Sequence, residues 1–300
     1  MTVLPWRRAV RADLPALADF LRAREAGCAG FVGRLLRDGE LRLPSPLRGA
    51  VWVADGPRGI GGAVLHHPSR IAYPAFPAEA EGDGALALVA GSWRAASAIG
   101  LAAGVQRYEA AFGLTPEISV AYRLMAREPG VPFPPLAPRA AERAAAYGAA
   151  RAGRPAPDIL VRMARPSDLD ALFPLQEAYE REEVLTSMHD FQSAACRAAL
   201  AAAIERQLVL VALRGGRIVA KAGTNARGFG VDQVGGVFTE PGLRGRGIAR
   251  ELMIALLAEI EGQGRRAVLF VKPSNAPARA LYKSLGFAEV GDFRADYFPE

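Results

Sequence analysis

The chain has 300 residues, more than one minimal domain needs and enough for two of ordinary size. Apolar residues make up 51% and charged residues 23%, a balance that fills real cores and excludes disorder along the whole length. The formal net charge of +6 suggests nucleic acid at first sight, but Lys221, Lys272 and Lys283 are the only lysines among 37 basic residues. The remainder are arginines interspersed with acids, as in Arg139, Glu142 and Arg143, and no basic block alternates with aromatics, so no nucleic-acid partner is expected.

Cys28 and Cys196 are single, far apart and without His or Cys at ligand spacing. They read as small buried hydrophobes in a reducing compartment, and no metal site is expected. Arg7, Arg8 and Arg11 are followed by Asp13 and Pro15, which no secretory leader would carry, and no apolar run approaches the roughly 20 residues of a bilayer span. A cytoplasmic protein with no membrane partner is the expectation.

Taken in order, the chain echoes itself. Asp13-Leu14-Pro15-Ala16-Leu17 after Arg11 returns as Asp168-Leu169-Asp170-Ala171-Leu172 after Arg165. Val51-Trp52-Val53-Ala54, a turn through Gly56 and Gly59, and Gly61 to Val64 return as Val209 to Ala212, Arg214-Gly215-Gly216 and Ile218 to Ala220. Two matches in the same order point to two domains of one design. Between them Pro129, Pro132, Pro134, Pro135 and Pro138, an Ala/Arg-rich stretch, and Pro155 and Pro157 mark a linker over 128–157. The expected domains are 1–127 and 158–300.

In the second domain the patterns predict a strand over 159–163, a helix over 168–182 and another over 191–206. A hairpin of 208–213 and 218–224, a strand over 231–239, and a helix over 248–262 with apolar Ile248, Leu252, Ile254, Leu256, Leu257 and Ile260 come next. A strand over 267–271, a helix over 276–285 and short strands near Glu289 and Phe293 close the chain. Alternation of this kind specifies an α/β fold, a mixed sheet with flanking helices.

The most informative segment lies between the strand ending at Thr239 and the helix starting at Ile248. Gly242, Gly245 and Gly247 let successive N–H groups turn inward, and the helix start adds free N–H groups and a positive dipole end, so a diphosphate is the natural guest. A Walker loop would need Lys and then Ser or Thr after Gly247, and a dinucleotide fingerprint would need Gly or Ala where Arg250 stands. Neither fits. Arg244-Gly245-Arg246-Gly247-Ile248-Ala249 instead resembles the acetyl-CoA motif of the GNAT N-acetyltransferase superfamily, Gln/Arg-x-x-Gly-x-Gly/Ala. Downstream, Asn275 and Leu281-Tyr282-Lys283-Ser284-Leu285-Gly286-Phe287 resemble that family's closing helix.

The resemblance implies two tandem GNAT-like domains, the first degenerate, and transfer of an acetyl group from acetyl-CoA to a small-molecule or peptide amine by direct attack in a ternary complex. It implies that the backbone of Arg244, Gly245, Arg246, Gly247, Ile248 and Ala249 holds the CoA diphosphate, with the two arginines adding charge. It implies also that Val237, Phe238 and Thr239 pair with the pantetheine arm on a strand splayed from its neighbour, that Asn275 belongs to the cofactor site, and that Tyr282 protonates the departing thiolate. Asp232 is the expected general base, with Glu180, Glu182 and Glu183 as alternatives lining the acceptor side; Gln233 stands about where some relatives carry a glutamate. His66, His67 and His189 are expected to be structural. Trp93 to Gly100 is expected at the place of the phosphate loop in the first half, where it lacks the motif. A non-catalytic acyl-CoA sensor is the alternative; the residues leave the acceptor and the oligomeric state open.

Overall fold

The computed structural model describes residues 5–45, 49–57, 59–77, 84–91, 93–132, 159–187 and 190–299. Most of the expected linker and His189 lie outside the described residues.

The first half runs β1 (Trp6–Arg8), α1 (Leu14–Arg22), α2 (Glu25–Leu35), a small hairpin of β2 (Leu36–Arg37) and β3 (Glu40–Leu41), β4 (Ala50–Gly56), β5 (Gly59–His66), β6 (Ile71–Ala75), α3 (Gly84–Ala90), β7 (Ser97–Leu101), α4 (Ala102–Phe112) and β8 (Ile118–Arg127). The second half repeats the series: β9 (Leu160–Met163), α5 (Leu169–Tyr179) continued by a π turn at Glu180–Val184, α6 (Ser193–Arg206), β10 (Val209–Arg214), β11 (Arg217–Arg227), β12 (Val231–Thr239), α7 (Ile248–Gly262), β13 (Arg266–Val271), α8 (Ala276–Ser284) and β14 (Ala288–Tyr297).

The echoes in the sequence have a physical cause. Asp13 accepts the Val10 N–H at 2.7 Å and pairs with Arg7 on β1; Asp168 accepts the Arg165 N–H at 2.7 Å and pairs with Arg162 on β9. The same carboxylate clamp joins first strand to first helix in each half. The second echo is the β4–β5 and β10–β11 hairpins. At the tip of the latter Gly215 and Gly216 have φ of 56° and 79°, the mirror-image turn that matches strand twist.

Twelve strands form one mixed sheet in the order β1-β4-β5-β6-β7-β14-β8-β13-β12-β11-β10-β9. The two halves exchange their last strands. β14, from the end of the chain, lies antiparallel between β7 and β8, and β8, from the first half, lies antiparallel between β14 and β13. The tail expected as short strands is therefore one ten-residue strand, with its ladder shifted between Glu289 and Gly291.

The segment Trp93 to Gly100 is not the counterpart of the phosphate loop. It leads into and forms most of β7, which corresponds to β13; the equivalent of the 240–247 turn is the connection from β6 to α3, of which only Phe76 and Pro77 are described. A short apolar run before a helix fits either place in an alternating α/β chain, and sequence period does not separate them.

α7 buries Ile248, Leu252, Met253, Leu256, Leu257 and Ile260 against the second-half sheet, giving that half its own core. α2 crosses to the second half. A Cβ at Gly33 would stand 3.2 Å from the backbone of Arg227, and one at Gly27 2.7 Å from Leu101, so glycine lets this helix approach closely. At its first turn Glu25 accepts the Gly230 N–H at 3.1 Å.

Candidate active site

The site begins where β12 leaves β13. The two strands pair in parallel only from Val231 to Gln233, opposite Arg266 to Val268. Beyond Gln233 the edge of β12 that faced β13 is unpaired, while its other edge stays on β11, with Phe238 opposite Lys221 and Thr239 opposite Ala220. The ladder to β11 slips between Lys221 and Gly223, and Gly236 takes φ 62° at that bulge. Val237, Phe238 and Thr239 thus carry their backbone along an open cleft. Phe238 points into the core, and the Thr239 hydroxyl is buried without a partner.

A short 3-10 turn at Pro241–Leu243 carries the chain to the glycines. Gly245 and Gly247 have φ of 73° and 84°, and a Cβ built on either, or on Gly242, meets nothing within 4 Å. Among the described residues no protein group accepts from the backbone N–H groups of Gly245, Arg246, Gly247, Ile248 or Ala249. Five consecutive free donors at the start of α7 form a cradle for an anion. The Arg244 side chain turns away from it: its Nε donates to Thr239 O at 3.0 Å, its Nη2 reaches Glu182 at 2.8 Å, and the guanidinium lies over Phe238. Arg244 secures the turn, and Arg246 stays exposed with one contact to Gly242 O at 3.4 Å.

Tyr282 on α8 is buried, 6.0 Å from Phe287 ring to ring, and burial first, then Glu183, holds its phenol above the ordinary range. No described protein group is hydrogen-bonded to its hydroxyl, so the phenol stays protonated and free to donate. Asn275 is engaged twice: its Oδ1 caps α8 at Ala278 N, and its Nδ2 donates to Glu183 at 3.1 Å. Lys272 also binds Glu183, at 3.3 Å, so this acid ties α5 to the loop before α8.

Asp232 does not reach the cleft. It is fully buried at the far end of β12, held by Arg265 at 2.7 Å and Arg227 at 3.2 Å, and it lines no part of the cavity. A carboxylate shared by two guanidinium groups is satisfied by them, so the residue expected as the base stands apart from the cleft. His66 is a core residue: it stacks on Trp93 at 3.8 Å, accepts from Trp52 and meets the Tyr108 hydroxyl at 3.2 Å, and burial pulls it down to about 3.

Behind the bulge lies a cavity of about 520 Å³ that both halves enclose. The second half supplies Gln176, Tyr179 and Glu180 from α5 and its π turn, Lys221 to Asn225 from β11, and Gln233, Gly235 and Gly236 from β12. The first half supplies the face of α2, with Cys28, Phe31 and Arg34, and Tyr73 on β6. Lys221 was not anticipated as a site residue. Its Nζ donates to Gly236 O at 2.9 Å and sits 4.3 Å over the Tyr179 ring, and burial lowers it to about 8 against the pull of Glu180. Burial raises Glu180, while the Gln176 amide at 2.7 Å and Lys221 draw it back. The net direction for the carboxyl is upward, with burial the largest cause. Cys28 is pushed up to about 12 by burial and is inert as a nucleophile.

The sequence from 169 to 287 matches the family described as Acetyltransferase (GNAT) family. This segment is a GNAT acetyltransferase domain. Structures of the same fold extend over nearly the whole chain. A GCN5-related N-acetyltransferase from Sphaerobacter thermophilus is 20% identical over 99% of this chain and 98% of its own, with TM-score 0.59. A Drosophila protein is 13% identical over 99% of both chains, with TM-score 0.64. A GNAT-family acetyltransferase from Colwellia psychrerythraea is 11% identical over 98% of this chain and 99% of its own, with TM-score 0.53. At such identities the likeness is one of fold, and it takes in the half that precedes the GNAT domain. No curated protein matches the chain in sequence. Among the described residues no cluster of His, Cys, Asp or Glu could hold a metal ion, and no helix is long and apolar enough to cross a membrane.

Proposed function

We propose that the GNAT domain transfers an acetyl group from acetyl-CoA to an amine by direct attack within a ternary complex. The observation that carries this reading is the continuity of three features: five free N–H donors at 245–249, the open edge of β12, and the cavity behind Gly236. The residues fit the co-substrate that GNAT acetyltransferases use. The turn offers donors and room to a diphosphate, and Val237, Phe238 and Thr239 offer backbone groups to the amide-bearing pantetheine arm. An extended arm running from 239 toward 237 brings its thioester next to Gly236, at the mouth of the cavity.

In that geometry Glu180 takes the proton of the incoming amine, through water, and Tyr282 donates to the sulfur as it leaves. Asp232 has no part in the step. The first half is catalytically degenerate and walls the acceptor site through α2. Free Cys28 and Cys196 agree with a cytoplasmic setting.

Calorimetry with acetyl-CoA, followed by assay of CoA release over a panel of amines, tests the proposal. Binding with turnover is expected. Binding with no turnover on any amine would favour the sensor reading, and the absence of binding would refute both.

A further inference from the structure

Building on the function proposed above, we propose that the acceptor is a small amine bearing an anionic group, a carboxylate or a phosphate monoester, and that Arg34 on α2 binds that group. The cavity lies between the two halves, which suits a small molecule better than a protein chain. Its charged lining residues are Glu180, Lys221 and Arg34. Glu180 and Lys221 act on each other across the second-half side of the cavity, so their charges offset. Arg34, on the first-half side, is left over.

Its surroundings single it out. Arg34 donates one N–H to Gly30 O at 2.8 Å, and its guanidinium carbon lies over the Tyr73 ring, 4.2 Å from the ring centre. Among the described residues it forms no ion pair, and its polar side-chain neighbours are the Tyr73 hydroxyl and the His67 ring. Arg24, the other half-buried arginine on a helix carbonyl and an aromatic ring, lines no cavity, whereas Arg162, Arg265 and Arg294 are matched to Asp168, Asp232 and Asp296. Beneath Arg34 the Tyr73 hydroxyl is buried, which raises its pKa, and the neighbouring Arg34 draws it back. A planar cation held in place by an aromatic face, with donors unspent and a second polar group waiting beside it, is built to take an oxyanion. An amine held toward Glu180 and Gly236, with its anion toward Arg34, satisfies both sides. A polyamine would set a second cation against Arg34 and Lys221.

Matched acceptors provide the test: α-amino acids with aromatic and aliphatic bodies, their carboxamides and the decarboxylated amines, and an aminoalkyl phosphate beside its amino alcohol. The anionic member of one series should be acetylated with a KM about tenfold or more below that of its neutral partners, the scale of a charge-assisted contact. In Arg34→Gln that advantage should vanish, with an unchanged calorimetric affinity for acetyl-CoA and an unchanged unfolding midpoint as evidence of an intact fold. Whichever series shows the effect, acid or phosphate, identifies the anion. Equal KM across each series, or a preference that survives Arg34→Gln, overturns the proposal but leaves acetyl transfer standing. Acetyl-CoA binding without acetylation of any anionic amine also overturns it, whereas failure to bind acetyl-CoA removes the functional reading underneath.

Discussion

Replacing Lys221 by Met keeps the length of the side chain, removes its charge and asks what the buried ammonium costs. Lys221 is 5% exposed, and burial lowers it from 10.5 to about 8. At about 1.4 kcal/mol for each tenfold change in proton affinity, holding the charged form folded near pH 7 costs roughly 3 kcal/mol. The substitution also loses the bond from Nζ to Gly236 O, worth about 1 kcal/mol. Lys221→Met is therefore expected to be more stable than the parent by roughly 2 kcal/mol near neutral pH. The sign follows from proton counts. Between about 8 and 10.5 the unfolded chain keeps a proton that the folded chain has released, so the parent gains stability as pH rises through that window. The variant's advantage should shrink and, near pH 10.5, become a deficit of about 1 kcal/mol. Guanidinium chloride unfolding of both proteins at several pH values, compared as a difference so that other titrating groups cancel, measures this. A difference that does not change with pH, or a parent more stable at neutral pH, refutes the account of Lys221.

Tyr282→Phe should lower kcat about tenfold or more while acetyl-CoA affinity measured by calorimetry changes little, because only the departing sulfur needs the hydroxyl. Gly247→Val forces a branched side chain into φ 84° at the start of α7, and acetyl-CoA affinity should fall at least about tenfold as the donors of the turn lose their alignment. Asp232→Asn should reduce unfolding free energy by about 3 kcal/mol through two uncompensated arginines, with kcat of the folded enzyme nearly unchanged; a collapse of kcat at full stability would restore Asp232 as the base.

What the sequence disclosed about the site was local. The turn from Arg244 to Ala249 is written in neighbouring residues, since glycines at positive φ before a helix need nothing distant to specify them. The boundaries of β12 and α7 fell at the expected residues for the same reason. The surroundings of Asp232 were not legible, because its partner Arg265 comes from the end of the α7–β13 turn and a place on a strand does not say which charges stand opposite. Lys221 left one faint signal, a lysine inside the apolar run Ile218 to Thr224 of a chain that otherwise uses arginine. Arg34 left none, because the α2 face closes the cavity only once both halves are assembled. Strand exchange was invisible for a related reason: pairing over long separations depends on topology, which hydrophobic period does not encode.

That exchange dictates an order of events. β8 is synthesised long before either of its neighbours, since β13 and β14 both belong to the second half, and the outer edge of β7 waits for β14. Each half is thus unfinished until the other is present, and both edges of β8 and one edge of β7 face the surroundings while the second half is made. Dividing the gene between the repeats would make that transient exposure permanent, and the cavity behind Gly236 would lose a wall in the same cut.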